Sequence, residues 1–267
     1  MSTNKLQGAN VLILGGTSGI GFAVAAAALS HGANITIASS SPSKLQSALD
    51  RLKSTLPEDE KEKETSTRLR GTTCNLSSPT AESEVLALYN FSTNNNTKKL
   101  DHIINTAGDA IHSLPKIHEI TPEAAIDFSK VRYIGNLLLA KHAATYLNIS
   151  PSSSFTTTSG VNSSKPGDGW SAIIGIAAAV EGFTRALAKD LKPVRVNCVS
   201  PGAIKTELFD GFGDEETVAK MMDFYAKMTL TGQIGTPEEA AESYLYLMKC
   251  GFVTGTVLQV DGGYLLV

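Results

Sequence analysis

The residues with the plainest chemical potential stand near the start of the chain. Gly15-Gly16-Thr17-Ser18-Gly19-Ile20-Gly21 follows an apolar run at 11–14 and opens a helical pattern. A glycine turn at such a junction lets the backbone approach a pyrophosphate closely. The first N–H groups of the helix, and its positive end, then face the phosphates. Gly15, Thr17, Ser18, Gly19, Ile20 and Gly21 are therefore candidate dinucleotide contacts, with a plain strand-to-helix turn as the bland alternative. The next apolar run ends in Ser39, Ser40 and Ser41. No carboxylate stands there to hold a ribose 2′-hydroxyl, as NAD-binding chains arrange it. Three hydroxyls, with Lys44 nearby, suit a 2′-phosphate. This predicts NADP(H) as the cofactor; a Ser-rich turn is the competing reading.

These groups need a scaffold, and the hydropathy pattern supplies one. Strand-length apolar runs at 11–14, 34–38, 69–74, 100–104, 154–158, 194–199 and 257–260 alternate with helical patterns at 20–30, 44–56, 81–89, 124–147 and 174–190. Continuous apolar strands between helices imply an α/β fold: one Rossmann-type, doubly wound parallel sheet with helices on both faces. Right-handed crossovers leave a crevice at the carboxyl ends of the strands, where ligands bind. The tract at 92–97 reads as a polar loop, and residues 57–68 as charged and loose.

Bulk properties narrow the function. The chain has 267 residues, consistent with one domain over 1–267, and 42% of them are hydrophobic. A net charge of −3 argues against nucleic-acid binding. The run at 58–64 mixes signs and reads as a solvated face. Cys74, Cys198 and Cys250 are odd in number and widely spaced, which suits neither a disulfide framework nor a metal site. No apolar run reaches membrane-spanning length, and the N-terminus reaches its glycine turn too early for a signal peptide. A cytoplasmic protein without membrane contact is expected.

Further along come Asn105-Thr106-Ala107-Gly108, Arg195-Val196-Asn197, Pro201-Gly202 with Thr206, and Val260-Asp261-Gly262-Gly263. With the glycine turn, and in this order, they resemble the short-chain dehydrogenases/reductases from about residue 6 to 263. The resemblance implies that Asn105, Ala107 and Gly108 support the cofactor beside the fourth strand. Asn75 and Leu76 would lie by the adenine, Asn75 replacing the family's usual aspartate. Pro201, Gly202, Ile204 and Thr206 would flank the nicotinamide.

The family's active site is a Ser with Tyr-x-x-x-Lys, plus an Asn on the preceding helix. Anchored on Ala178-Ala179-Val180-Glu181-Gly182, the tyrosine position is Ile173, the lysine position Ala177 and the asparagine position Arg132; only Ser159 is retained. Ketone reduction creates an alkoxide that must be protonated, and isoleucine and alanine have no proton to give. General acid help is worth about 10²–10⁴-fold. An iminium carbon is already electrophilic and takes hydride without a proton donor. Such a site needs positioning and an anionic environment. Asp109, at the end of strand four, and Asp168, in Lys165-Pro166-Gly167-Asp168-Gly169-Trp170, are the candidate anions, with Arg132 opposite. The alternatives are a helix N-cap, a surface aspartate and a structural ion pair.

Within the family the chain looks like the fungal NADPH-dependent enzymes of prenylated indole alkaloid pathways. That resemblance implies reduction of a cationic C=N, with intramolecular Diels–Alder cyclisation, carried by Asp109, Arg132, Asp168 and Ser159. It also implies a lid at about 206–230, where Met221, Met222, Phe224, Tyr225 and Met228 either cover a bulky apolar substrate or simply pack. A homo-oligomer, dimer or tetramer, is expected by analogy. A Pictet–Spengler-type cyclase, a non-catalytic NADP(H)-binding protein, and a ketone reductase using Tyr133 or water stay open as other functions.

Overall fold

The computed structural model describes residues 4–56, 68–108, 116–209 and 213–267. Its strands are β1 Asn10–Leu14, β2 Asn34–Ser39, β3 Leu69–Thr73, β4 His102–Asn105, β5 Ser154–Thr158, β6 Arg195–Pro201 and β7 Val257–Val260. They form one sheet in the order β3-β2-β1-β4-β5-β6-β7, with every pairing parallel. The order reverses between β1 and β4, which opens the crevice at their carboxyl ends.

The helices are α1 Gly19–Ser30, α2 Pro42–Ser54, α3 Ala81–Ser92, α4 Pro122–Ser129, α5 Gly135–Tyr146, α6 Ile174–Asp190, α7 Glu215–Lys227 and α8 Pro237–Lys249. Alternation along the strands sorts them into two layers. Val11, Ile13, Ile35 and Ile37 pack with α1, α2 and α8, while Leu12, Leu14, Ile103 and Phe155 pack with α3, α5 and α6. Both faces are thus covered, which explains why the strands carry continuous apolar runs. The fold is the Rossmann-like α/β arrangement that the sequence implies.

Three details differ from the sequence reading. Strand β4 starts at His102, because Leu100 makes only an isolated bridge to Leu147. The long helix at 124–147 is α4 and α5 joined by a π turn, Lys130–Ile134, with Arg132 at its centre; such widened turns recur at functional sites. Helix α3 runs on to Ser92, and Asn94, Asn95 and Asn96 then take positive φ, which asparagine tolerates better than most residues.

Helix α8 is absent from the hydropathy reading, although Thr236-Pro237-Glu238-Glu239 announces it. Glu239 N–H donates to Thr236 Oγ1 at 3.2 Å, Thr236 N–H donates to Glu239 Oε2 at 2.8 Å, and Pro237 sits in the first turn. Cys74, Cys198 and Cys250 are all free thiols. Residues 57–67 lie outside the described residues. Among the described residues no helix is long and apolar enough to cross a membrane, and no group of side chains could hold a metal ion.

Candidate dinucleotide and substrate site

A cavity of about 1320 Å³ opens at the carboxyl ends of the strands. One end is built by the glycine turn. Gly15 takes φ +77° and donates its N–H to Ala38 O at 3.0 Å, while Thr106 N–H donates to Leu14 O at 3.0 Å, so β1, β2 and β4 are tied where the turn begins. A Cβ at Gly15 would lie 2.7 Å from Ala107 N, and one at Gly21 would lie 2.2 Å from Gly15 O. Only glycine lets the helix start this close to the sheet. The cradle fits a pyrophosphate: Gly15, Thr17, Ser18, Gly19, Ile20 and Gly21 all line it, and Ser18 makes no side-chain cap that would close the helix start.

Ser39, Ser40, Ser41 and Lys44 continue the wall from β2 into α2. Ser39 Oγ lies 3.4 Å from Thr17 Oγ1 and accepts from Ser41 N–H at 3.2 Å, while Ser41 Oγ caps α2 by accepting from Lys44 N–H at 3.4 Å. Asn75, Leu76, Ala107, Gly108, Pro201, Gly202, Ile204 and Thr206 also line the cavity. Asn105 does not. It is 2% exposed and works beneath the wall, accepting from Ala107 N–H at 3.1 Å and donating to Asn136 Oδ1 at 3.0 Å. Asn136 in turn donates to Arg132 O at 2.6 Å, which links β4 to the π turn. Cys74 faces the cavity, but burial, helped by Glu84, pushes its thiol up to about 12, so it offers no thiolate.

Glu207 is a feature that motif reading misses. Its Oε2 accepts from Gly19 N–H at 2.8 Å, so a carboxylate of the chain itself occupies the anion-binding start of α1. A pyrophosphate bound here would compete with this carboxylate for the same N–H and be repelled by it. Glu207→Gln is expected to tighten dinucleotide binding about twofold to fivefold, the usual worth of one charge at a helix N-terminus. Fluorescence titration of the nicotinamide checks it; unchanged or weaker binding would show that the contact does not compete.

The other end of the cavity is apolar. Ile173, Ile176 and Trp170 line it, with Phe128 and Val131 on the facing helix. Ile173 and Ala177, the positions that match the family's tyrosine and lysine, both stand on the wall. From the segment at 206–230, Phe209, Met221 and Tyr225 reach the cavity, and Phe209 meets Tyr225 edge-on at 6.3 Å. Phe224 is exposed, and residues 210–212 lie outside the described residues.

The charged candidates are distributed unevenly. Arg132 lines the cavity with its guanidinium packed against Gly108, where a Cβ would come within 2.4 Å of it. Asp109 lies outside the described residues. Asp168 is exposed, two residues before Trp170, and is not part of the wall. Asp127 is part of it, paired with Lys130 at 2.5 Å. It sits five residues before Arg132, on α4 just ahead of the π turn. Ser159 lines the cavity and donates to Glu181 Oε1 at 2.9 Å.

Tyr225 and Tyr264 are the phenols on the wall among the described residues. Burial, and then Tyr264, push the Tyr225 phenol up, away from easy proton release. Lys165 Nζ stands 4.6 Å above the Tyr264 ring, but it donates to the carbonyls of Tyr264 and Val267 rather than to the phenol oxygen. Tyr133 packs edge-on against Phe183 at 6.4 Å and is not on the wall.

The comparisons with known proteins agree with this architecture. A family model described as an SDR-like Rossmann domain matches residues 2–267. A curated short-chain dehydrogenase/reductase, ucsE of an Acremonium species, is 42% identical over 266 residues, covering 99% of this chain and 98% of its own. Another, malC of Malbranchea aurantiaca, is 40% identical over 267 residues, covering 99% and 97%. The solved structure of the MalC reductase/Diels–Alderase from that organism superposes with a TM-score of 0.91 at 39% identity, covering both chains fully. A short-chain dehydrogenase/reductase from Mycobacterium ulcerans gives 0.84 at 27% identity, covering 97% of this chain and 90% of its own. With its parallel sheet, glycine cradle and full-length match, the chain belongs to the short-chain dehydrogenase/reductase family of nicotinamide-dependent oxidoreductases.

Proposed function

We propose that the chain reduces a cationic C=N⁺ (iminium) intermediate with NADPH in fungal indole alkaloid biosynthesis, and that the same cavity guides an intramolecular Diels–Alder cyclisation. One observation carries the reading: Ile173 and Ala177, which neither give nor hold a proton, line the cavity that the glycine cradle opens into. The similarity to the MalC reductase/Diels–Alderase supports it.

The hydride comes from the reduced nicotinamide when it is bound. The wall residues of the chain do the rest. A substrate R₂C=N⁺R₂ that gains hydride becomes the neutral amine R₂CH–NR₂, so no proton has to be delivered. A ketone would become an alkoxide, and among the described residues the wall has no phenol–ammonium couple aimed at it. Phe128, Val131, Trp170 and Ile173 exclude water, which strengthens every charge interaction inside. Asp109 and Asp168 are the proposed source of negative charge for the cation, Asp168 from an exposed loop beside the wall residue Trp170, and Arg132 orients a carboxylate partner through its planar fork. The volume exceeds the roughly 300–1,000 Å³ of an ordinary small-molecule pocket, so a bulky apolar substrate fits beside a dinucleotide. Cyclisation then needs only shape and fixed charge, with the 206–230 segment as a lid. We further read the protein as a cytoplasmic dimer or tetramer.

NADP(H) is favoured over NAD(H) by the hydroxyls of Ser39, Ser40 and Ser41 beside Lys44. A carboxylate at Ser40, which is exposed, would repel a 2′-phosphate and accept from a 2′-hydroxyl. Ser40→Asp is expected to shift the NADPH-to-NADH ratio of dissociation constants by about tenfold or more toward NADH, one close like-charge pair being worth that much. A ratio that does not move would place the 2′-position elsewhere.

The function is tested by following NADPH absorbance after adding a cyclic iminium salt. Oxidation with formation of the amine is expected, and Asp109→Ala and Asp168→Ala should slow it while leaving NADPH binding intact. A cyclised product without nucleotide oxidation would replace the reductase by a Pictet–Spengler-type cyclase. No turnover of any kind would leave a nucleotide-binding protein.

A further inference from the structure

Ser159 follows β5 and belongs to the cavity wall. A serine hydroxyl has one proton and two lone pairs. Here the proton goes to Glu181 Oε1 at 2.9 Å, and Ser163 Oγ donates to the same oxygen at 2.5 Å. A carboxylate can only accept, so the direction of both bonds is fixed. With its proton spent, Ser159 offers the cavity lone pairs alone.

Glu181 lies on α6, one turn after Ala177 on the same stripe, while Ile173 caps the helix start eight residues before it. The carboxylate is half-buried and is not itself part of the wall; it reaches the cavity through Ser159. Its charge is felt inside the fold. The buried Cys198 thiol on β6 is pushed up first by burial and, more weakly, by Glu181, against hydrogen bonds from Ser159 and Thr157 that pull it down. We infer that Glu181 is a positioning residue that turns Ser159 into a pure acceptor backed by an anion, so that the site selects a cationic C=N⁺ over a neutral carbonyl of the same shape. The sense follows from elementary chemistry. Lone pairs and a carboxylate stabilise a cation or an N–H donor. A carbonyl oxygen on its way to an alkoxide needs a donor, and this hydroxyl has none left to give.

The inference rests on the iminium reading, and binding separates the two. The probes are N-methyl-3,4-dihydroisoquinolinium, which is permanently charged, and 1-tetralone, its neutral ketone of similar shape. Each is titrated calorimetrically into the full-length protein saturated with NADP⁺, so that no turnover intrudes. The wild type is expected to bind the cation more tightly. Glu181→Gln keeps size and hydrogen-bonding capacity, and should cut the cation-to-ketone affinity ratio about tenfold, the worth of one nearby opposite charge in a partly screened site, since this cation has no N–H to donate. Ketone affinity, NADP⁺ affinity and Tm should stay unchanged. Ser159→Ala, which removes the hydroxyl while Ser163 still partners Glu181, should give the same loss, and the double variant no more than either alone.

A ratio that survives both substitutions, or a wild type without preference for the cation, overturns the inference. So does an equal weakening of both ligands, which is what a packing role produces. NADPH oxidation by the same iminium salt is read separately: its absence sinks the reductase, whereas oxidation with an unmoved ratio sinks only the role of Glu181.

Discussion

Ile173→Tyr combined with Ala177→Lys is expected to raise kcat/KM for a simple ketone by about 10²–10⁴-fold, the usual worth of a positioned general acid. Both side chains already stand on the cavity wall, Ile173 at the N-cap of α6 and Ala177 in its first turn, so phenol and ammonium would face the same space. The ammonium favours the phenolate and so lowers the phenol's pKa toward neutrality. Ile173 is buried at 6% exposure yet borders open cavity, so the larger ring has space to enter. Because Ser159 spends its proton on Glu181, it lends no hydrogen bond to the new alkoxide, which places the gain nearer the lower figure. Iminium reduction should gain nothing from the pair, and the added ammonium should weaken binding of the cation. Steady-state kinetics on 1-tetralone and on the iminium salt check both directions. A double variant as inert toward the ketone as the wild type would mean that the reacting carbon does not sit beside these positions.

The second large effect is expected from one methyl group. A Cβ at Gly108 would lie 2.4 Å from the Arg132 guanidinium carbon. That guanidinium is the far end of a flexible side chain, so in Gly108→Ala it shifts aside rather than straining the fold. Misplacing a positioning group by about 1 Å can cost about 10² in rate, and a fall in kcat/KM of that order is expected at saturating NADPH, with Tm little changed. Arg132→Ala should fall as far, and the two losses should not add. A Gly108→Ala variant of full activity would show that Arg132 has no part in the reaction.

The fold was legible where burial on both faces forces continuous apolar runs. Strands β5 and β7 and helix α6 stand where hydropathy puts them, and the glycine cradle follows from motif position alone. Helix α8 escaped although both its capping box, Thr236 with Glu239, and its apolar stripe of Ala240, Ala241, Tyr244, Leu245, Leu247 and Met248 announce it. The π turn around Arg132 escaped because a single inserted residue leaves the helical period almost intact. The site was legible as a set of places more than as a set of charges. Residue types at the family's positions identify Ile173, Ala177 and Arg132 as wall positions. They do not reveal Glu207 at the start of α1, Asp127 on the wall, or Glu181 behind Ser159. Each of those depends on where a loop or helix brings a distant carboxylate, and no local spacing records it. Asn105 shows the converse: its motif is plain, but its side chain braces the wall from beneath.

On the proposed reading, a cavity with Ile173 and Ala177 at the tyrosine and lysine positions still hydrogenates a molecule that arrives positively charged. Its most direct test is the single-turnover rate of NADPH oxidation with the permanently charged iminium and with the ketone of matching shape, both at saturation. The iminium is expected to react at least about 100-fold faster, the smallest usual contribution of a general acid, and to show no solvent deuterium effect. A ketone reduced as fast as the iminium, or a rate for the iminium that slows in deuterium oxide, would contradict it.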